Sequence, residues 1–350
     1  MAAKRRASTK RKRVCILGAA GYGGSELLRL LLFHPAVEVA HITSRQHRGQ
    51  PVWRVHPNLR SVSELAFEDL SIAEACEDAD LVFCALPQLS GMKAIRKLPS
   101  KTPVIDLSGD FRLRDPDVYR KYHGKSHAAP ELLEEFAYGL PEFEREAVAD
   151  ARIIGVPGGF ATAALLALLP LARDGHLTGP IVLNGVVGSS EFGAEARLAT
   201  HHPERDEAFR AYRMTDHPQI PEILQQLAAH GTPASEVTFV PYVAPMVRGL
   251  FMAVYARPLR RVTRDLARRA FEMAYVDKPF IRLLDGSPDC NVVCGSNFAD
   301  ISVDAQGSTI VVMVAIDNLV KGAAGQAVQA MNLRLGLDER TGLEFPGMRP

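Results

Sequence analysis

The sequence lacks several features that would each define a class of protein. No apolar run in its 350 residues approaches the ~18 residues of a membrane span, and no apolar stretch near the N-terminus resembles a signal sequence. The 41 basic and 40 acidic side chains give a net charge of only +1, which does not indicate nucleic-acid binding. Five scattered cysteines do not make a disulfide framework. We therefore expect a cytoplasmic protein with free thiols, without a nucleic-acid partner and without a membrane.

Positive charge is concentrated at residues 1–13. Seven of these thirteen residues are Lys or Arg, and none after Met1 is apolar and larger than Ala. Such a segment cannot bury enough surface to order itself, which predicts a disordered basic tail. The alternative is an electrostatic arm for an acidic partner. The rest of the chain carries a slight acidic excess.

The first half of the chain alternates apolar runs with helical patterns. An apolar run is followed by a glycine turn, a helix and a second strand, which is the order of a βαβ unit. Such alternation predicts a parallel sheet covered by helices, an α/β fold. The predicted strands are 14–17, 37–43, 79–86 and 103–107, and the predicted helices are 25–33 and 89–98.

The second half has a different order of predicted elements, because several strands lie close together late in the chain. Clustered strands predict a mixed or antiparallel sheet and therefore a second domain. The predicted strands are 181–187, 237–243, 250–256, 298–303 and 309–316, and the predicted helices are 160–173, 263–275 and 321–335.

The glycine turn is the first candidate binding site. Glycines directly after a strand and before a helix let the backbone approach a pyrophosphate, which the N-terminal N–H groups of the helix stabilise. The alternative is a tight strand–helix turn with no ligand. The predicted cofactor-binding residues of this turn are Gly18, Ala20, Gly21, Tyr22, Gly23 and Gly24.

The end of the second strand indicates which dinucleotide would bind. An NAD site usually has an acidic residue here to accept from the ribose 2′-hydroxyl, but this strand runs into Ser44, Arg45 and Gln46. A guanidinium beside small hydroxyls suits a 2′-phosphate. We therefore predict NADP(H) as the cofactor; the alternative is an exposed arginine without a ligand.

Beyond these patterns, the chain resembles N-acetyl-γ-glutamyl-phosphate reductases and the related reductases of carrier-protein-bound aminoadipyl or glutamyl phosphate. Residues 201–204 and 345–347 look closer to the second, lysine-pathway branch. The resembling stretches run in family order along nearly the whole chain: residues 18–24 (GAAGYGG), 43–45 (TSR), 55–59 (VHPNL), 104–112 (VIDLSGDFR), 138–142 (YGLPE), 200–205 (THHPER), 245–249 (PMVRG), 295–297 (GSN) and 317–326 (DNLVKGAAGQ).

The resemblance implies a Rossmann domain at 14–155 and 318–350, and an inserted mixed α/β domain at 156–317 of the glyceraldehyde-3-phosphate-dehydrogenase type. It implies an NADPH-dependent reduction of an acyl phosphate to a semialdehyde in arginine or lysine biosynthesis. It adds Pro87 and Asn318 to the cofactor residues, and it implies a homodimer or homotetramer. For the lysine-pathway branch it implies a small acidic carrier protein as a partner.

The chain departs from the family at the catalytic residues. In the family a cysteine thiolate attacks the acyl phosphate, expels phosphate and forms a thioester that takes hydride. The position of that cysteine is Gly159 here, and a glycine cannot form a covalent intermediate. In the histidine-containing segment His217 remains, but the second histidine position holds Gln219, and a Pro-His pair appears as Pro87–Gln88.

Three readings follow from these departures. The chain is a reductase in which Gly159 is an engineered or sporadic replacement, or a reductase without a covalent intermediate in which His217 serves as acid. The third reading is a non-catalytic homologue that binds NADP and a substrate or partner subunits. Among the first-domain cysteines only Cys84, near the cofactor edge of a strand, is a candidate replacement thiol, and the spacing of Cys290 and Cys294 supports neither a metal site nor a redox pair.

Three further residues are candidates for holding the substrate. Arg112 and Arg248 could bind phosphate or carboxylate through a guanidinium fork, or form structural ion pairs. His201 lies in the 200–205 stretch of the resemblance. No metal is expected there, because adjacent histidines point apart and no cysteine or carboxylate completes a site.

Overall fold

The computed structural model describes residues 10–173, 177–232 and 236–349. Most of the predicted basic tail lies outside these residues. The first strand begins at Lys12, so the last two residues of the segment assigned to the tail belong to the sheet. Asp80 holds them there, because its carboxylate accepts from the Lys12 ammonium at 3.3 Å and from the Arg13 backbone N–H at 2.8 Å.

The chain forms two sheets with their surrounding helices. The strands are β1 (Lys12–Leu17), β2 (Val37–Thr43), β3 (Leu81–Cys84), β4 (Val104–Asp106), β5 (Phe136–Tyr138), β6 (Ile153–Gly155), β7 (Thr178–Val187), β8 (Arg210–Ala211), β9 (Val237–Val243), β10 (Leu250–Arg257), β11 (Ile281–Leu283), β12 (Ala299–Gln306) and β13 (Thr309–Ile316). The helices are α1 (Tyr22–Leu31), α2 (Val52–Val55), α3 (Ile72–Cys76), α4 (Gly91–Ile95), α5 (Pro116–His123), α6 (Pro141–Asp150), α7 (Gly159–Arg173), α8 (His202–Arg205), α9 (Gln219–Ala229), α10 (Arg264–Tyr275), α11 (Cys290–Val293) and α12 (Gly325–Arg334).

The first sheet is parallel throughout, with strand order β2-β1-β3-β4-β6-β5. All four residues of β3 are buried, as expected for a strand covered on both faces. The helix at the end of the chain, α12, packs against α1 and α6 and completes this domain. A π-helical turn at Val320–Ala324 precedes α12, within the single helix predicted at 321–335. The predicted Rossmann domain is confirmed.

The second sheet is mixed and has seven strands in the order β11-β12-β13-β10-β7-β9-β8. Helix α7 packs against β10 and β13, and every residue of it from Gly159 to Ala172 is buried. No helix within the described residues is long and apolar enough to cross a membrane. The predicted second domain with a mixed sheet is confirmed, and its longest buried helix begins at the position singled out by the sequence.

Candidate active site

The glycine turn between β1 and α1 has the shape of a phosphate cradle. Gly18 has φ +83°, and a Cβ there would lie 2.8 Å from the carbonyl oxygen of Ala85. A Cβ at Gly24 would lie 2.5 Å from the backbone of Ala19, so this glycine permits close packing of helix and turn. At Gly21 and Gly23 a Cβ would meet nothing within 4 Å, so the backbone is open to a ligand.

Helix α1 begins on this open side at Tyr22, and its N-cap residue Gly21 offers no side chain to the first N–H groups. These donors and the positive end of the helix dipole therefore remain available to an anion. At Gly21 and Gly23 no atom is close enough to block the approach of a ligand. The open backbone and the uncapped N-terminus of α1 fit the predicted pyrophosphate site.

Two arginines stand at the carboxyl end of β2. The Arg45 side chain is 96% exposed and its Nε lies 3.9 Å from a carboxylate oxygen of Asp69, while Arg48 lies 3.5 Å from the other oxygen. The backbone N–H of Ser44 donates to Glu68, and Gln46 is exposed. Arg48 was not predicted, although a second cation three residues after Arg45 is a signal in the sequence. Both guanidinium groups therefore lie near the Asp69 carboxylate at the end of β2, and the predicted contact of Arg45 with a 2′-phosphate stays a prediction.

The N-terminus of α7 is the point where the family cysteine would stand. The carboxylate Oε1 of Glu222 accepts from the backbone N–H of Gly158 at 2.9 Å and from the Tyr138 hydroxyl at 2.7 Å. The Gln219 amide oxygen accepts from the backbone N–H of Ala161 at 2.7 Å. The first residues of α9 therefore reach across to the first turn of α7, and two of its N–H groups already have acceptors.

Gly159 itself has room for a side chain. A Cβ there would lie 3.3 Å from Cδ1 of Leu250, the end of a flexible side chain, and 3.8 Å from the carbonyl oxygen of Gly322. Its φ does not lie in the left-handed region. No conformational or packing requirement therefore forces glycine at this position. The adjacent Gly158 differs, because a Cβ there would lie 2.2 Å from the Gln219 side chain.

His217 lies in an aromatic box that includes Phe160, the second residue of α7. Its ring meets the edges or faces of Phe160, Tyr212 and Phe239, with centroid distances of 4.9–6.0 Å. The residue is 6% exposed, and Nδ1 accepts from the backbone N–H of Gln219. Burial, and then the charge of Arg213, lowers the pKa of His217 to about 4, so the ring is neutral at pH 7. The arrangement gives His217 a packing role, and its predicted catalytic role stays a prediction.

A cavity of about 120 Å³ lies beside the start of α7. It is lined by Gln88, Ser108, Gly109, Arg112, Leu113, His123, Pro218, Gln219 and Glu222. Of the three predicted substrate residues, this cavity contains Arg112, whose Nε donates to the carbonyl oxygen of Val156 at 2.8 Å. Burial raises the pKa of Glu222, and the charge of Arg112 opposes that rise. The cavity thus combines one arginine with a buried carboxyl group.

The loop after β3 forms another wall of this cavity. Pro87 is exposed, and Gln88 places its amide Nε2 2.6 Å from Nδ1 of His123, at the end of α5. Leu89 has φ +68°, a strained value for a leucine, and its N–H donates to Asp110. His123 was not predicted as a site residue. No local signal indicates it, because its place in the cavity depends on the packing of α5.

The other two predicted substrate residues lie elsewhere. Arg248 is bonded through Nε and Nη2 to both oxygens of Asp317, at 3.0 and 3.1 Å, and through Nη1 to Glu26. These carboxylates raise the pKa of Arg248 against the opposing effect of burial. The ion pairs tie α1 to the segment after β13. His201 lines a separate cavity of about 340 Å³ that also includes Tyr22 of the glycine turn.

Asn318 is 2% exposed and its amide is fully engaged by the second domain. The oxygen accepts from the Gly249 N–H at 3.0 Å, and Nδ2 donates to the Ser190 hydroxyl at 3.0 Å. The side chain therefore fixes two loops that border the cofactor turn. Its predicted contact with the cofactor stays a prediction.

The free cysteines offer no nucleophile to the cavity. Cys84 is fully buried in β3, and burial together with the charge of Asp106 raises its pKa well above the usual value. Cys290 and Cys294 lie against Gly249, and none of the five lines the cavity. Across the described residues, no group of three or more His, Cys, Asp or Glu side chains is placed to hold a metal ion.

We expect Cys84→Ser to leave the rate of NADPH oxidation within about twofold of the unsubstituted chain, because a neutral thiol in the sheet cannot attack a substrate. Iodoacetamide labelling followed by mass spectrometry supplies the second measurement. Cys84 should stay unlabelled in the native protein and react in urea. Rapid native labelling, or a large loss of rate in the serine variant, would contradict the burial.

The chain matches two family models over most of its length. Residues 13–151 match the NAD binding domain of semialdehyde dehydrogenases, and residues 159–318 match their dimerisation domain. An N-acetyl-γ-glutamyl-phosphate reductase of Methanopyrus kandleri is 43% identical over 343 residues, which is 96% of this chain and 99% of the relative. The chain belongs to the N-acetyl-γ-glutamyl-phosphate reductase family. The resemblance stated from the sequence is confirmed.

Relatives from both branches of this reductase family are similarly close. A putative [LysW]-L-2-aminoadipate 6-phosphate reductase of Thermomicrobium roseum is 44% identical and covers 96% of this chain and 99% of its own length. Among solved structures, aspartate semialdehyde dehydrogenase of Candida albicans with NADP has a TM-score of 0.69 at 13% identity, covering 93% of this chain and 98% of that one. This structural likeness concerns the fold.

Proposed function

We propose that this chain binds NADP(H) and reduces an acyl phosphate to the semialdehyde with release of phosphate. The observation that carries the proposal is the small cavity at the start of α7, with Arg112 in its wall, on a chain whose close relatives are named as phosphate reductases. An arginine fork suits a phosphate or a carboxylate. The free thiols of the chain are in keeping with a cytoplasmic enzyme of amino-acid biosynthesis.

The residues present fit the cofactor at both ends. The open backbone at Gly21 and Gly23 and the first N–H groups of α1 would hold the pyrophosphate, and Arg45 with Arg48 would hold the 2′-phosphate. When bound, NADPH supplies the hydride that converts the acyl group to an aldehyde. Because residue 159 is glycine, the chain offers no thiol for a thioester, and hydride must reach the acyl carbon directly. Arg112 would hold the leaving phosphate.

The test is NADPH oxidation with a freshly prepared acyl phosphate, N-acetyl-γ-glutamyl phosphate first, with release of inorganic phosphate measured in parallel. We expect slow turnover with equal amounts of NADPH consumed and phosphate released. NADPH binding without turnover on free or carrier-linked acyl phosphates would favour a non-catalytic binding protein. Failure to bind NADPH at millimolar concentration would overturn the whole proposal.

Replacing Arg45 with Ala should weaken NADPH binding about 10- to 100-fold while NADH binding changes little, because only NADPH carries the 2′-phosphate. Tryptophan or NADPH fluorescence titration gives both dissociation constants. Arg54→Ala is a matched control, since the Arg54 guanidinium lies against the Trp53 ring instead of the β2 loop. Equal losses for NADPH and NADH would show that Arg45 does not read the 2′-phosphate.

We also propose that the chain works as a homodimer or homotetramer through the uncovered face of the second sheet. Val182 of β7 and Val311 of β13 are both paired with Tyr255 of β10, so the three side chains lie side by side on one face of the sheet. Phe251, four residues before Tyr255 on β10, lies on the same face. Val182 and Tyr255 are 37% and 40% exposed in the single chain. A second copy would remove this apolar surface from water.

The acyl group of the substrate is either free or attached to a small acidic carrier protein. The names of two relatives contain [LysW], which suggests a carrier-linked substrate for those proteins. The separate cavity bordered by Tyr22, Arg197, His201 and His202 supports this proposal because it lies beside the glycine turn, and its lining carries two histidines and an arginine that is paired with Glu195. Its predicted substrate residue, His201, would then contact the more distant part of the substrate.

A further inference from the structure

His123 is the one imidazole in the wall of the cavity beside α7. His217, which the sequence singled out, is enclosed by Phe160, Tyr212 and Phe239 and bonded to its own turn. At position 219 a glutamine amide, which neither accepts nor releases a proton at neutral pH, faces the same cavity. Two groups in the lining can carry a proton at neutral pH, the buried Glu222 carboxyl on α9 and His123 on α5. Glu222 already accepts from the Gly158 N–H and the Tyr138 hydroxyl, which leaves His123 as the candidate donor.

The ring of His123 is held in a defined orientation. The Gln88 amide Nε2 lies 2.6 Å from Nδ1 and donates to it in the neutral ring, which leaves the ring proton on Nε2. In the imidazolium form Nδ1 is a donor as well, and rotation of the amide places its oxygen there as the acceptor. The Tyr119 ring lies 4.4 Å away between centroids, and its hydroxyl donates to Asp110 at 2.7 Å. Asp110 also accepts from the Leu89 N–H, so the same carboxylate fixes both the loop and the helix that bring Gln88 and His123 together.

The charges around His123 are set for an anionic ligand. Burial, followed by the charges of Arg112, Arg213 and His127, lowers the pKa of His123 to about 4, while Asp110 opposes this shift. In the empty chain the ring is neutral at pH 7. A phosphate dianion beside it would offset the two arginines and favour the imidazolium form. The charge of Arg213 acts on the ring in addition to that of Arg112, which lines the cavity.

We infer that His123 donates the proton that the departing phosphate takes up in this chain. The inference rests on the proposed function and adds a catalytic residue to it. In the reaction, hydride from NADPH adds to the acyl carbon, and the bond between that carbon and the phosphate oxygen breaks. The leaving oxygen takes the Nε2 proton of the imidazolium, and the products are the aldehyde, hydrogen phosphate and NADP⁺. The ring then recovers its proton from solvent.

The chemistry explains why such a donor is needed. A direct displacement by hydride would release fully deprotonated phosphate, which is a poor leaving group compared with hydrogen phosphate. Proton transfer from a positioned side chain commonly contributes about 10²- to 10⁴-fold to a rate. Arg112 can stabilise the charge of the leaving group but cannot give up a proton at neutral pH. His123 and Arg112 would therefore divide the task between them.

The first experiment needs no turnover. The histidine C–H signals are followed by NMR as a function of pH, with and without inorganic phosphate, and the His123 signal is assigned from its loss in His123→Gln. We expect phosphate to shift the His123 titration to higher pH while the signal of His230, which is bonded to Glu144 at the end of α9, stays unchanged. If the midpoint of the His123 titration is the same with and without phosphate, the inference is overturned.

The second experiment measures kcat and KM for NADPH oxidation with the acyl phosphate between pH 5 and 9. His123→Gln should lower kcat about 100-fold with a small effect on KM, and it should remove the alkaline decline of the wild-type rate. His230→Gln serves as the matched control for a lost histidine. An unchanged kcat in His123→Gln overturns the role of His123 alone, whereas no turnover in the unsubstituted chain overturns the proposed function and the proton transfer with it.

Discussion

Combining Gly159→Cys with Gln219→His should raise the rate of acyl-phosphate reduction on the order of 10³-fold. The cysteine would stand at the N-terminus of α7, where N–H groups and the helix dipole favour a thiolate. A histidine at 219 would be the adjacent base that activates it. The site can receive the thiol, because a Cβ at 159 meets only Cδ1 of Leu250 closer than 3.4 Å. NADPH oxidation under saturating substrate measures the gain.

Two control variants separate the effect of the thiol from that of its surroundings. Gly159→Ala with Gln219→His has the same Cβ but no sulfur, and it should show no gain. Gly159→Cys alone should gain less than the double variant, because the Gln219 amide cannot accept the thiol proton. A thioester trapped by acid quenching and detected by mass spectrometry would identify the covalent route. A double variant no faster than its alanine counterpart would show that the remaining site is not arranged for thiol chemistry.

Lys321→Met should destabilise the fold by about 3–5 kcal/mol, because it leaves a buried carboxylate without its partner. Lys321 is 0% exposed, and its ammonium donates to Glu142 at 2.6 Å and to Gln329 at 2.8 Å. Gln329 also donates to the same Glu142 oxygen, so all three groups form one network between α6, the π-helical turn and α12. The midpoint of urea unfolding, followed by circular dichroism, measures the loss.

The pH dependence of this loss has a definite sign. Burial would raise the pKa of Glu142, but the Lys321 charge and the hydrogen bonds hold it below its ordinary value. Such a carboxylate stabilises the fold above its unfolded pKa and loses that contribution as the pH falls. The difference between wild type and Lys321→Met should therefore be largest near pH 7 and shrink in acid. Lys321→Met with Glu142→Gln should recover most of the stability, and a double variant as unstable as the single one would contradict the pairing.

The sequence was sufficient for the elements whose pattern is local. The strands predicted at 37–43, 237–243 and 309–316 have the observed bounds, because apolar alternation and buried runs reflect the faces of each sheet. The helix predicted at 160–173 begins one residue earlier, at Gly159. The glycine turn could also be predicted from the sequence, because the spacing of its glycines is the spacing that lets the backbone approach a ligand.

The composition of the cavity could be predicted only in part, because Arg112 and Gln219 were named from the sequence and His123 was not. Gln88 and His123 are separated by 35 positions and meet only because Asp110 fixes both the β3 loop and Tyr119 of α5. The family resemblance of its segment suggested His217, but whether an imidazole faces a cavity or an aromatic box depends on tertiary packing. Arg248 likewise finds its carboxylates on distant segments, at Glu26 and Asp317.

The contact of α12 with α1 and α6 has a consequence for biosynthesis of the chain. The first sheet is encoded before the second, yet the helix that covers one side of the first sheet's domain is synthesised only after the second sheet. Until residues 325–334 emerge, the apolar side chains of α1 that α12 covers have no permanent neighbour, and the Glu142 carboxylate has no cation. A nascent or C-terminally truncated chain should therefore depend on chaperones, although its phosphate-binding turn is already complete.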